Sequence, residues 1–145
     1  MNRNAPLDFA QSPPRPIGGL QYNVLVPQVD KDGNDVAGIR MPYLEVPLAK
    51  HTGWSLLFDG AGFPDSCGQH GQFFPFANTK TERLAAGDPR PSIEERYHTP
   101  EKYVKKVAHA AKKLVHDRLL LEEDEERIVA RADRDGFRLW ATQAP

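Results

Sequence analysis

The sequence predicts an α+β chain with a Pro/Gly-rich, irregular first half that carries a β-hairpin, followed by short helices and a C-terminal helix pair. Three observations predict it. All but two of the 13 prolines and all but one of the 11 glycines precede Ser92. Pro removes a backbone donor and Gly weakens regular elements, so that part of the chain cannot hold long helices. Apolar residues alternate on either side of an Asp-Gly turn signal in residues 22–39, whereas beyond Asn78 they recur at helical spacing.

With 145 residues the chain is one domain's worth, enough to bury a modest core. Lys and Arg number 19 against 20 Asp and Glu, a formal net charge of −1. That balance gives no reason to expect nucleic acid or an anionic membrane as a partner. Cys67 is the single cysteine, which rules out an intrachain disulfide. No run approaches the roughly 18 apolar residues of a membrane span. Residues 1–20 are polar and Pro-rich and lack the apolar block of a signal peptide. So much irregular chain normally lies on another surface, and one structural unit within a larger domain is expected.

Residues 1–21 read as an extended arm, with Leu7, Phe9 and Ile17 as its apolar anchors. Residues 22–57 read as a β-hairpin and an extended segment. Tyr22, Val24 and Val26 give the first strand and Val36 to Ile39 the returning one, about the Asp32-Gly33 turn. Pro42 and Pro47 make residues 41–48 an extended piece kept out of a central ladder. Residues 58–77 form a Gly-rich loop with five phenylalanines, Phe58, Phe63, Phe73, Phe74 and Phe76.

Residues 78–135 read as helical. Thr79 with Glu82 and Ser92 with Glu95 are capping boxes that open two short helices, the first stopped by Gly87. Thr99-Pro100 caps the main helix, whose stripe runs Tyr103, Val104, Val107, Ala110, Ala111, Leu114, Val115. Leu119 to Leu121 break the period, and Glu122 opens the last helix with Ile128, Val129 and Ala132 inward. Gly136 is expected to end it, leaving residues 136–145 as a tail with Leu139 and Trp140 able to dock. Six basic residues crowd the main helix, and residues 122–126 are all acidic. The two helix dipoles favour that arrangement, which favours a solvated face over a nucleic-acid contact.

Four places in the sequence suggest chemistry, and none yields a catalytic, cofactor-binding or metal-binding residue. Asp30, Asp32 and Asn34 match the first ligand spacings of a calcium loop, but Asp35 stands where Gly is needed and Met41 where the bidentate Glu belongs. Cys67 and His70 have a metal-like spacing without a matching second pair. His51 is a lone loop histidine, a residue more often hydrogen-bonded or solvated than catalytic. Cys67 as a nucleophile would need His51 or His70 placed beside it.

Four segments carry a family resemblance: LVPQVDKDGNDVAGIR (residues 25–40), EVPLAKHTGW (residues 45–54), FPFANTKTERLAAGDPRPSIEERY (residues 74–97) and RLLLEEDEERIVARA (residues 118–132). Together they resemble the C-terminal region of a bacterial family of large α/β-hydrolase-domain proteins. The resemblance implies an esterase-like hydrolase in which this region follows the catalytic domain. That machinery needs a Ser on a G-x-S-x-G elbow, an acid and a His. None of the four serines satisfies it: Ser55 lacks the second Gly of the elbow, and Ser66 sits between Asp65 and Cys67. No family catalytic residue therefore carries over, and no cofactor is implied. The expected partner is the upstream catalytic domain or a companion subunit. The alternative is a free-standing, non-enzymatic protein-interaction module.

Overall fold

The computed structural model describes residues 6–19, 27–56, 67–68 and 70–141. The strand expected over residues 22–26, residues 57–66 of the aromatic loop with Phe58, Phe63 and Ser66, and the side chains of Cys67, Leu139 and Trp140 lie outside that description. The architecture is mixed α and β, as the sequence predicts. In chain order it runs β1 (Leu7–Asp8), β2 (Arg15–Pro16), α1 (Pro42–Glu45), β3 (Ala49–Thr52), β4 (Ser55–Leu56), β5 (Cys67–Gly68) and β6 (Gln72–Pro75). Four helices follow, α2 (Lys80–Ala85), α3 (Ile93–Tyr97), α4 (Pro100–His116) and α5 (Glu122–Ala141). Among the described residues the strands form three two-stranded antiparallel sheets, β1 with β2, β3 with β6 and β4 with β5.

The helices start where the caps predict. Thr79 and Ser92 each accept the backbone N–H three residues on, and Glu82 and Glu95 reach back to complete both boxes. Gly87 takes φ +66°, the left-handed conformation that closes α2. Thr99 caps α4, with Pro100 in its first turn.

Four elements differ from the sequence reading, each for a local reason. The arm is not simply extended: Leu7–Asp8 pairs with Arg15–Pro16, and the Ile17 N–H bonds the Pro6 carbonyl at 2.8 Å. Among the described residues the hairpin shows one bridge, Val29 to Asp35, and residues 36–39 form no strand. There the Asp30 carboxylate accepts the N–H groups of Asp32 and Asn34 at 2.9 and 3.0 Å. Side-chain acceptors thus take donors that a ladder would have used. Residues 42–45 are helical instead of extended, because Pro at the first helical position loses only an N–H that has no partner there. Gly136 does not stop α5, which continues to Ala141. A Cβ at Gly136 would stand 2.7 Å from Tyr103 Cε1, so the glycine makes room for a ring.

The core lies between the α4–α5 pair and the β3–β6 ribbon. Val46, Phe76, Ile93, Tyr97, Tyr103, Val107 and Ala132 are buried together, with Leu48, Val104, Ala110 and Ile128 packed against them. Tyr97 and Tyr103 meet edge to face with ring centroids 5.1 Å apart, and Tyr97 gives its hydroxyl proton to the Pro47 carbonyl at 2.7 Å.

Candidate functional site

Two features stand out around this core, a polar staple built from the Asp-rich loop and a cleft that contains His51. In the staple, Asp32 and Asn34 are buried at 5% and 0% exposure. The Asp32 carboxylate takes both terminal nitrogens of Arg96, 64 residues away, and Oδ2 accepts from Nη1 at 2.7 Å. The Arg96 guanidinium lies 4.2 Å from the Phe76 ring centroid, and Arg90 covers the same ring at 4.9 Å. Asn34 gives Nδ2–H to the Ala49 carbonyl at 3.1 Å and accepts the His51 N–H at 2.7 Å. Asp30 pairs with Arg40 at 2.9 Å. Burial alone would raise its carboxyl, but the Asn34 and Asp32 N–H groups and Arg40 outweigh that and hold it below the usual carboxylate value. The three residues with calcium-loop spacing are thus committed to protein donors and to β3.

The cleft opens between α1, β3, β6 and the α4–α5 pair and has a volume of about 490 Å³. Pro42, Val46, Leu48, Val107 and Ile128 supply apolar wall, while His51, Tyr103, Arg131 and Asp135 supply polar groups. β3 places His51 opposite Phe73 in the β6 register. Its ring meets Phe73 edge-on at 5.2 Å and tilts against Tyr43 at 5.4 Å. Burial against these rings lowers the imidazole pKa below its ordinary 6.5. A neutral imidazole can act as a base, but it needs a nucleophile to deprotonate and an acceptor to orient it. No Ser, Thr or Cys lines the described cleft, and no carboxylate bonds the His51 ring among the described residues.

The other residues weighed from the sequence are not gathered at this site. His70 and His98 are exposed, and His98 is the residue after α3, at φ +63°. Ser55 is half-buried in β4. Ser92 is fully buried but spent on capping: Oγ–H gives to Glu95 at 2.9 Å and accepts the Glu95 N–H at 3.3 Å. The hydrogen bonds from Ser92 and Arg83 hold the Glu95 carboxyl down at about 2. The basic face of α4 is exposed, and Lys113 closes on Asp117 one turn later at 2.6 Å.

Sequence reasoning passed over Tyr103, Arg131 and Asp135. Tyr103 was one more member of an apolar stripe, and its only signal was a hydroxyl among aliphatic neighbours. Arg131 and Asp135 stand four apart on α5, the helical ion-pair spacing, and their groups lie 3.2 Å apart.

No curated protein and no solved structure matches this chain. A family model described as an alpha/beta hydrolase domain does match, over residues 1–130. With most of its length covered by that model, the chain belongs to the alpha/beta hydrolase domain family.

Proposed function

We propose that this chain is the C-terminal portion of an esterase-type α/β-hydrolase protein and is not catalytic by itself. One observation carries the reading: the cleft around the half-buried His51 holds no Ser, Thr or Cys on its described wall. The sequence agrees, since no serine stands in a G-x-S-x-G elbow. In this reading the partner is an upstream catalytic domain or a companion subunit, and neither nucleic acid nor membrane belongs to the set. Tyr43, Trp54, Phe73 and Phe74 are between 43% and 54% exposed, apolar surface suited to a protein neighbour. Among the described residues no helix is long and apolar enough to cross a membrane.

The test is hydrolysis of short-chain nitrophenyl esters by the chain alone. No turnover above buffer is expected. Turnover abolished by a serine-directed inhibitor would overturn the proposal.

A second reading, a free-standing non-enzymatic interaction module, is favoured by one observation. Every enclosed side-chain nitrogen and oxygen among the described residues has a hydrogen-bond partner. A monomer that unfolds in a single cooperative transition would favour the module, and a loose or self-associating chain the dependent portion.

A further inference from the structure

We infer that the cleft between α1, β3, β6 and the α4–α5 pair binds a small neutral molecule with an apolar body and one oxygen that accepts the Tyr103 hydroxyl proton. The inference concerns the cleft alone and stands whether or not the chain takes part in ester hydrolysis. At about 490 Å³ the space falls within the range of small-molecule sites, and its wall is mostly apolar with few polar groups, as in such sites.

Tyr103 is the observation that points to an occupant. It is only 7% exposed, and its hydroxyl has no partner among the described residues. Every fully enclosed side-chain nitrogen or oxygen described here is bonded, so the Tyr103 oxygen must be reached from open space. Tyr103 lines this cleft. Its neighbour Tyr97, buried beside it, is by contrast satisfied by the Pro47 carbonyl. Tyr97 meets the ring at 5.1 Å and the α5 backbone at Gly136 leaves no room beside it for even a Cβ, so the hydroxyl is held at the cleft wall. A ligand oxygen that displaces the water reaching this hydroxyl keeps its hydrogen bond, while the apolar body covers the wall.

The charges around the cleft select a neutral molecule. Burial and the nearby Asp135 carboxylate push the Tyr103 phenol up to about 12, so it stays a donor. Arg131 is engaged by Asp135 at 3.2 Å and its side chain is 77% exposed. His51 is pushed toward its neutral form by burial. No described cation is left unpaired in the cleft to offset an anion beside Asp135.

The test titrates the full 145-residue chain with β-naphthol, with β-naphthoate as the charged counterpart of the same ring. Amide NMR shifts are the readout, and the titration is repeated on Tyr103→Phe and Ile128→Trp. Saturable one-to-one binding is expected, with shifts centred on residues 42–51 and 128–136. Tyr103→Phe keeps the ring and should weaken β-naphthol about tenfold, the loss of one hydrogen bond. β-Naphthoate should bind at least about tenfold more weakly than β-naphthol, because no unpaired cation in the described cleft offsets the desolvation of its carboxylate. Ile128→Trp, which fills the wall without touching the hydroxyl, should abolish the shifts. Absence of saturable binding to the unaltered chain would overturn the inference. So would equal affinity in Tyr103→Phe, or β-naphthoate binding as tightly as β-naphthol.

Discussion

The two halves of this molecule are held together by different physics. In α4 and α5, Tyr103, Val107, Ala111, Leu114 and Ala132 are buried along helical faces, and the contact is a broad apolar one. In residues 27–56 the buried groups include Asp32 and Asn34, and a handful of polar atoms fix where the chain goes. Apolar packing is non-directional and tolerates exchange of similar shapes. A buried ion pair or amide has one correct geometry and is costly to leave half-made. The helical half should therefore fail gradually, and the loop half abruptly at single positions.

The largest effect is expected at Asp32→Ala, which strands the Arg96 guanidinium at 11% side-chain exposure. A loss of about 3–5 kcal/mol in urea unfolding is expected, the usual range for breaking a buried pair from one side. A loss below about 1 kcal/mol would erase the contrast between the halves. The helical counterpart is Val107→Ala, at a residue 2% exposed in the core. It should cost about 2 kcal/mol from lost transfer energy and a small cavity, with an unchanged denaturant slope. A cost equal to that of Asp32→Ala would place the helices on the same footing as the loop.

The smallest expected effect lies on the seam between the halves, at His51. Its folded-state pKa is lowered, so the neutral form is the one that folding favours. Its contribution is present above the ordinary value of 6.5 and is lost as pH falls through the lower folded value. An NMR titration should give His51 a midpoint below the ordinary histidine value of 6.5. A midpoint at or above 6.5 would mean that the ring is not packed between Tyr43 and Phe73.

This contrast also explains how much of the molecule could be read in advance. The capping boxes at Thr79 and Ser92, the Thr99-Pro100 start and the Gly87 stop are local codes, written within four residues of the feature they make. They were legible, as was the α+β class. The Asp32–Arg96 pair joins residues 64 apart, and nothing near either residue marks the other. The same Asp-Gly signal that announces a turn says nothing of whether its flanks will pair, and here side chains took the donors. Gly136 misled for a related reason: a glycine can mark a stop or a close approach, and only the Tyr103 ring decides between them. Of the cleft, His51 was visible as a candidate. Tyr103 and Asp135 were not, because α4 and α5 bring them together.

The amide of Asn34 has a consequence for assembly. By bonding the Ala49 carbonyl and the His51 N–H, it occupies the outward backbone positions of β3 as a neighbouring strand would. On the other side of the ribbon the alternation of the ladder turns the backbone of Phe73 and Pro75 outward, and Pro75 has no N–H to offer. One border of the two-stranded ribbon is thus taken by a side chain that imitates a strand, and the other lacks the donor that Pro75 cannot supply. The faces of the ribbon that carry Phe73 and Phe74 remain exposed.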